Sequence, residues 1–546
     1  MLKDLFKISP VIFFLITTAY GQTAGKISGK IIDQKDNSPL VGANVIIMQT
    51  QAGTSADEEG HFNLINVSPG KYSVRIMMIG YESLTIEDVV VSVNRTTSLD
   101  LELKQSVIEG QEVVIYASKF SRKKDQTSTV KNISSEEIEI LPVEDLGAVI
   151  NMQAGVVAGH FRGGRRDEVS YMIDGVPVND AFGGVSAVSN LEVEAVQDLE
   201  VITGTFNAEY GNAMSGIVNA VTKDGSNEFH GSFNSGFSTY ITENKRNGDE
   251  VFIGLDPFGI NSNSDLKFSL SGPVIKDRLY FFTNFRTQDV SGHLNGVRRF
   301  EVWNLSNFYD QDSSKWFSEN TGDSSFVPMN KGQYSSFMGK LSYNLGSIKL
   351  ALMLNVNNSI SRGYNHIYKY NPDGRSYGDG TTTLTMFQLN HFLNEKMFYD
   401  VKYSITDNDY GSYVFEDYSG YEVLTEDGIH QGVYHFAGDT IYNYVNDKYM
   451  TAYGTGFFTG GQDKGHLNRI TKTYNFKSDF TWQVTNAHSI KTGFSFISHE
   501  LENIDHTIRN AFAGTSLEAD QYKPIVLPDS TVYSDVYGVK PKERSF

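Results

Sequence analysis

The sequence predicts a mainly β protein: an N-terminal β-sandwich, a small α+β domain, and then an antiparallel β-barrel. Three observations carry that expectation. Gly occurs 50 times and Phe and Tyr 35 and 30 times, against 12 Pro, a balance that favours strands joined by Gly-rich turns over long helices. Short runs of alternating apolar and polar residues fill positions 26–104. From position 229 onward, longer alternating runs are joined by connections that are short and long in turn.

The 546 residues are 40% hydrophobic, enough for several cores. A formal net charge of −19 argues against nucleic acid as a partner, because a phosphate-binding surface wants clustered Lys and Arg. Cysteine is absent, which excludes a disulfide framework, a thiolate nucleophile and a zinc ribbon. Lys3 and Lys7 precede the apolar run VIFFLITTAY, Val11 to Tyr20, and Ala19-Tyr20-Gly21 has the small residues a signal peptidase reads. Residues 1–21 are therefore expected to be a signal peptide, with an exported chain starting near Gln22 that, lacking cysteine, is not a lipoprotein. No later segment reaches the ~20 apolar residues of a spanning helix, so any membrane crossing must use strands.

Residues 22–104 carry KISGKIID, ANVIIMQ, HFNLINV, KYSVRIMMIGY and TSLDLEL, separated by NSPLVG, DEEG and SPG. That pattern reads as a compact sandwich. Asp57, Glu58 and Glu59 have the composition of calcium ligands, but a solvated hairpin turn closed by Gly60 suits them better. Residues 105–128 read as a linker around QEVVIYAS. Glu112, Val113, Val114 and Ile115 form either an isolated strand open to pairing with another protein or the last strand of the sandwich.

Residues 129–224 mix helix and strand: EEIEILPVEDLGAVINMQAGVV is partly helical, EVSYMIDGVPV strand-like, and VEAVQDLEVITG a helix leading into a strand. Residues 225–546 hold nine candidate strands, at 229–238, 265–273, 278–288, 334–344, 347–358, 382–392, 397–407, 471–483 and 488–498, with a tenth beginning at KERSF. Short joins fall at 274–277, 345–346, 394–396 and 484–487, and long ones at 239–264, 289–333, 359–381 and 408–470. A membrane barrel sorts its connections in this way, with short turns on the periplasmic side and long loops outside. Tyr474, Phe476, Phe480, Trp482 and Val484 share one face of their strand, and Asn475, Lys477, Asp479, Thr481 and Gln483 the other, as expected between lipid and a wet lumen.

Two segments tempt a chemical reading. His499-Glu500-Leu501-Glu502, with His506 beyond, has a zinc-like H-x-x-E spacing, but such ligands share a face only on a helix. FRGGRR, Phe161 to Arg166, could cradle an anion, yet lacks the Lys-Ser/Thr pair of a P-loop. No catalytic residue, metal site or cofactor is expected, and the chain is not read as an enzyme.

Taken together, PLVGANV, TSADEEGHFNLINVSPGKYSV and GYES resemble the carboxypeptidase-regulatory-like domain. LPVEDLGAVINMQAGVV, FRGGRRDEVSYMIDGVPVND and LEVITGTFNAEYGNAMSGIVNAVTK, in that order, resemble the plug of TonB-dependent outer-membrane receptors. The whole is similar to the subgroup of that family with an N-terminal regulatory-like domain, common in Bacteroidetes-type bacteria. The plug motif falls on Arg162, Gly163, Gly164, Arg165, Arg166, Asp174, Gly175, Tyr210, Gly211, Gly216, Thr222 and Lys223.

The resemblance implies an outer-membrane receptor whose sandwich lies in the periplasm and whose barrel stands in outer-membrane lipid. It implies energy-coupled import of a scarce nutrient, whether siderophore, vitamin, glycan or peptide. TonB and its inner-membrane motor complex would grip Glu112 to Ile115 and pull the plug aside, and a surface lipoprotein is a further candidate partner. Arg162, Arg165 and Arg166 are then expected to pair with carboxylates lining the barrel, and Asp174-Gly175 to form a tight turn. A barrel-anchored adhesin without transport is the alternative. Family barrels have about 22 strands, which at the spacing seen here need roughly 660 residues. The nine or ten strands present therefore lead to the expectation of a chain truncated at its C-terminus.

Overall fold

The computed structural model describes residues 24–106, 112–116, 129–182, 191–240, 245–255, 263–416, 421–424, 430–436, 439–442, 445, 447–450, 456–510, 524–525 and 543–545, less positions 94, 144, 205, 207–209, 212, 247–248, 309 and 486–487. The signal-peptide expectation for residues 1–21 lies outside them.

The sandwich is built from β1 (Gly25–Asp33), β2 (Asn44–Ile47), β3 (Gly53–Ser55), β4 (His61–Val67), β5 (Gly70–Met77), β6 (Ser83–Val91), β7 (Thr96–Ser98), β8 (Leu101–Leu103) and β9 (Glu112–Tyr116). One sheet runs β4-β1-β7, with β8 also on β1, and the other runs β3-β2-β5-β6-β9. Alternation along each strand turns Ile27, Ile31, Val45, Ile47, Phe62, Leu64, Val74, Ile76 and Ile86 into one dry core. At the DEEG turn the Asp57 carboxylate accepts the Glu59 and His61 amides at 3.1 and 2.7 Å, and Gly60 takes φ +80°. Its oxygens close a turn, as expected.

Strand β9 pairs in parallel with β6, Ser83 opposite Glu112 through Glu87 opposite Tyr116. Of the two readings of QEVVIYAS, the isolated strand is thus corrected. Strand β9 covers the edge of β6 that β5 leaves open, so pairing satisfies that edge and one side of β9.

The second unit places β10 (Thr129–Ser134), α1 (Ser135–Glu139), α2 (Leu146–Asn151), β11 (Val156–Val157), β12 (His160–Phe161), β13 (Val169–Ile173), β14 (Val176–Pro177), β15 (Val196–Thr203) and β16 (Gly216–Thr222) in chain order. Its main sheet runs β10-β15-β16-β13-β14. Ser134 and Glu137 form a capping box on α1, and Asp145 caps α2 by accepting the Ala148 amide at 2.7 Å. The expected helix before LEVITG is only a 3-10 turn, Val193–Ala195. Leu199, Val201 and Ile202 are β-branched or bulky and sit between two antiparallel partners, and Val196 pairs with Thr222, so the strand wins from residue 196 on.

The wall consists of β17 (His230–Ser238), β18 (Asn263–Ile275), β19 (Leu279–Val290), β20 (Gly332–Leu345), β21 (Ile348–Ser361), β22 (Tyr377–Asn394), β23 (Met397–Tyr413), β24 (Gly465–Gln483), β25 (Ser489–Thr507) and β26 (Glu543–Ser545), hydrogen-bonded in that order as one antiparallel sheet. All nine expected strands are present, and β26 is the tenth. Several run longer than a bilayer needs, up to 19 residues in β24 and β25, because pairing continues into the bases of the long loops. Even positions of β20 (Ser336, Met338, Lys340, Ser342) are buried, whereas Phe337 and Leu341 are exposed on the outer face. In β24 the buried set is Asn475, Lys477, Asp479, Thr481 and Gln483, with Phe476 and Trp482 outside. The polar inner and apolar outer faces match the expected alternation.

The sandwich rests on the second unit and on the short-turn rim. The Val93 amide donates to Asp198 Oδ2 at 2.8 Å, and Arg95 Nη2 donates to the Val130 carbonyl at 3.1 Å. Lys26 Nζ reaches Gln483 Oε1 at 3.2 Å, and Asn66 Nδ2 reaches Asn390 Oδ1 at 2.7 Å.

Candidate functional site

Strands β13 and β14 are joined by two residues, Asp174 and Gly175, at φ +49° and +75°, with Ile173 paired to Val176. Positive φ at both central positions is what a type I′ hairpin turn requires, and Asp-Gly is among the pairs that adopt it at least cost. The Asp174 amide donates to the Ala220 carbonyl at 2.9 Å, and the Gly175 amide to Asn219 Oδ1 at 3.0 Å, so the turn is fastened to β16. The Asp174 carboxylate is buried. It accepts the Thr222 amide at 2.9 Å and the Thr222 hydroxyl at 2.7 Å.

The tip of this turn meets the inner face of the wall. Lys340 Nζ lies 3.3 Å from Asp174 Oδ2 and donates to Thr222 Oγ1 at 2.8 Å. Lys402 Nζ donates to the Asp174 carbonyl at 2.7 Å, and Lys477 Nζ to the Gly175 carbonyl at 3.0 Å. Gln388 Nε2 adds a bond to Asp174 Oδ2 at 3.3 Å. Three buried ammonium groups thus surround one turn. Asp400 and Asp479, each 3.3 Å from the lysine of its own strand, offset the charge that the turn's carboxylate leaves unmatched.

Two more carboxylates of the second unit are held in the same way. Glu192 accepts from Arg286 Nη1 at 3.1 Å and from the Ser336 hydroxyl at 3.1 Å, while Asp265 holds the rest of that guanidinium at 2.7 and 2.9 Å. Burial pushes Glu192 above the usual carboxylate range, with Arg286 opposing it. Asp224 is bracketed by Lys340 at 3.0 Å and Lys349 at 2.6 Å. Burial pushes its carboxyl up, but the two lysines outweigh that and hold it well below the ordinary range. Between these ionic contacts lies an apolar patch: Phe282, Met338, Met353, Leu384 and Met386 of the wall join the core of Ile173, Val176, Val218 and Ala220.

This polarity corrects the expectation for the arginines. Arg162, Arg165 and Arg166 are exposed and, among the described residues, meet no wall carboxylate. Arg162 Nη2 donates to Thr129 Oγ1 at 3.1 Å, and Arg166 donates to the Ala158 carbonyl at 2.7 and 2.9 Å. Arg165 is held through its backbone, its amide donating to Glu168 Oε2 at 3.1 Å. The physical reason is local: positive φ at Arg162 and Gly163 folds FRGG back over β11, where the Ala158 carbonyl takes Arg166 and the Thr129 hydroxyl takes Arg162. The second unit supplies carboxylates to the wall, and the wall supplies the cations.

The remaining motif residues have separate places. A Cβ on Gly216 would stand 2.3 Å from the Phe161 ring, and one on Gly164 2.3 Å from the Ser215 side chain, so both glycines permit close packing under the FRGG loop. Tyr210 is buried among Met172, Ile202 and Ile217, Gly211 is exposed beside it, and Lys223 pairs with Glu139 at 3.2 Å. Glu112 to Ile115 lie on β9, away from this cluster. His499 and Glu502 fall within strand β25 at opposite phases of the pleat, and His499 bonds the Thr473 hydroxyl at 2.9 Å. In the loop 442–461, Phe457 and Phe458 pack on Tyr370 and Tyr368 at ring separations of 5.0 and 4.7 Å, which is loop packing.

Among the wall cations, Arg286, Lys340 and Lys402 are not singled out by sequence, and Lys477 is placed only on the polar face of its strand. Their signal was a cation in the buried phase of an alternating strand, as in FMGKLSY and YNFKSDF.

A sandwich, a mixed domain anchored by its carboxylates against a ten-stranded wall, and apolar side chains outside that wall define a plug-and-barrel architecture. Residues 27–115 match the CarboxypepD_reg-like domain and residues 122–217 the TonB-dependent Receptor Plug Domain. Both matched segments are domains found in TonB-dependent receptors, and the relatives of the chain carry that name. The chain is 27% identical over 291 residues to the TonB-dependent transporter Oar of Myxococcus xanthus, covering 49% of this chain and 27% of that protein. It is 25% identical over 347 residues to the TonB-dependent receptor P3 of Formosa agariphila, covering 56% of this chain and 33% of that protein. The chain thus spans about a quarter to a third of the length of these relatives. The siderophore receptor PirA from Acinetobacter baumannii aligns over 68% of this chain and 48% of that one, at 16% identity and a TM-score of 0.43.

Proposed function

We propose that this chain serves energy-coupled import across the outer membrane, with the plug as the gate that a periplasmic TonB protein displaces. The observation that carries the reading is the Asp174-Gly175 turn, held by Lys340, Lys402 and Lys477 through polar contacts. Such contacts exchange readily for water when the two surfaces separate, whereas a continuous apolar core would resist separation along its whole area. The wall stands in outer-membrane lipid with Phe337, Leu341, Phe476 and Trp482 outward, and the sandwich lies on the periplasmic side with the short turns.

Glu112 to Ile115 form the strand that TonB, powered by its inner-membrane motor complex, takes by strand addition. The substrate is a scarce nutrient of the siderophore, vitamin, glycan or peptide classes, bound between the long loops and the plug. The test compares cells carrying the intact chain with cells carrying a deletion of residues 111–118. Both are offered ferric siderophores, cobalamin, oligosaccharides and peptides, and energised uptake and surface binding are followed separately. The deletion is expected to abolish uptake and leave binding intact. Uptake that survives it overturns the mechanism, and binding with no uptake by either chain favours a surface adhesin.

A further inference from the structure

The strand assigned to energy coupling is not a loose tether. Strand β9 closes the edge of the five-stranded sheet, in register with β6 over five residue pairs. The chain just before it is also fastened: Gln105 bridges to Tyr81, and the Ser106 amide donates to the Gly80 carbonyl at 3.0 Å. The sandwich that holds β9 is itself fixed to the plug through Asp198, Val93 and Asn132 and through the pair of Lys71 and Glu136 at 2.9 Å, and to the wall rim through Lys26 and Gln483.

Force applied to β9 in this arrangement does not pass directly along the chain into β10. It is borne first by the β6–β9 ladder and then by the sandwich with its anchors on plug and rim. Load passes into the chain between β9 and β10 only after β9 has left β6. Resting on the import reading above, we propose that the sandwich is a clutch: β6 sequesters the coupling strand, and the energy-coupling protein must win β9 from β6 before the plug can be pulled. The two partners compete by the same chemistry. Each offers β9 a row of backbone donors and acceptors, and sequence-tolerant pairing of this kind lets one strand change partners without a change of side chains.

The chain has no cysteine, so the clutch can be locked cleanly. Ser83 stands opposite Glu112, and Glu87 opposite Tyr116, at the two ends of the ladder. Cα atoms of paired strands are within the ~4.4–6.8 Å a disulfide spans. The full chain carrying Ser83→Cys with Glu112→Cys, or Glu87→Cys with Tyr116→Cys, is purified in detergent. Its binding to the periplasmic C-terminal domain of TonB is measured oxidised and reduced, with single-cysteine chains as controls. Hydrogen exchange at residues 83–87 and 112–116 is followed in the parent chain as the domain is added. The clutch predicts that the oxidised chains bind at least about tenfold more weakly than the same chains reduced. It also predicts that the amides of residues 83–87 that face β9 lose protection on binding, while 112–116 keep it.

Equal binding by oxidised and reduced chains, with 83–87 still protected, means the domain adds to the outer edge of β9 and overturns the clutch alone. If the parent chain binds no better than one lacking residues 111–118, the coupling-strand reading fails and the clutch falls with it.

Discussion

Replacing Asp174 with Ala removes the one side chain that ties the plug turn both to β16 and to the wall. The truncation leaves the Thr222 amide, formerly bonded at 2.9 Å, and the Lys340 ammonium, formerly at 3.3 Å, facing a methyl group. It also puts Ala at φ +49°, where Asp is tolerated better. Breaking a buried ion pair from one side costs about 3–5 kcal/mol. Lys340 retains Asp224 at 3.0 Å, which places the cost toward the lower end. Asp174→Asn keeps an acceptor for the Thr222 amide and a residue suited to positive φ, and loses only the charge, at about 1–2 kcal/mol. The assay is amide exchange in the purified protein at Val169–Ile173 and Gly216–Ala220, which reports opening of the plug sheet without requiring the barrel to unfold. At tenfold per ~1.4 kcal/mol, Ala should speed exchange there by about a hundredfold or more and Asn by about tenfold. If Asp174→Ala exchanges within about threefold of the parent, the effect is that of an ordinary surface substitution and the turn is not the anchor.

Arg286→Met should loosen the plug by about 3–5 kcal/mol at pH 7, because Glu192 and Asp265 are left without their shared cation. Burial already raises the Glu192 carboxyl, so the loss should shrink as the pH falls and Glu192 takes a proton; exchange at residues 191–199 measured from pH 5 to 8 checks this. Asp198, buried where sandwich meets plug, is pushed up to about 6 by burial, against the bonds from Val93 and Asn132 and the nearby Arg95. With the folded value above the unfolded 3.8, the folded state holds more protons between them, so stability is full below about pH 4 and is lost as the pH rises through 6. Asp198→Asn should flatten that profile in exchange measurements at Val93 and residues 130–134. Gly216→Val should cost about 1–3 kcal/mol by driving a side chain into the Phe161 ring, and Phe161→Ala in the same chain should recover part of the loss; thermal melts of the two chains test it.

The wall was legible because its strands repeat one pattern under one constraint. An apolar outer face and a polar inner face impose period two on every strand, so FMGKLSY and YNFKSDFTWQ each display their inner and outer faces in sequence. The Asp174-Gly175 turn was legible for a similar reason, since Asp-Gly between two apolar pairs satisfies a local backbone rule. What the turn touches was not. Lys340, Lys402 and Lys477 stand 166, 228 and 302 residues from it, and nothing local distinguishes a lumen-facing lysine that meets water from one that meets a plug. The arginines of FRGGRR drew the electrostatic assignment because they cluster, yet positive φ at Arg162 and Gly163 turns the segment so that Arg166 bonds the Ala158 carbonyl and Arg162 the Thr129 hydroxyl. The pairing of β9 with β6 was undecided for the same physical reason, because edge strands pair through backbone groups that carry no sequence signature.

The plug and wall meet through two kinds of contact that respond differently to displacement. The bonds to Asp174, Gly175, Glu192 and Asp224 are directional and 2.6 to 3.3 Å long, so a shift of an ångström or two breaks them. The patch of Met338, Met353 and Met386, with Phe282 and Leu384, is non-directional, and methionine side chains can re-pack against a moving surface. Displacement therefore has its steepest cost at the start, while lysines and carboxylates part, and a gentler one afterwards as the plug slides over the methionines. Such a profile keeps the plug seated against thermal motion and yields to a sustained pull. It also separates the roles of the residues: substitutions among the cations should change the force at which movement begins, and substitutions among the methionines the work needed to complete it. Lys340→Met and Met338→Lys, compared by pulling single molecules from Thr129 at the start of β10, should move those two quantities independently. If both change only the onset, the ionic and apolar contacts break together and the division of labour does not hold.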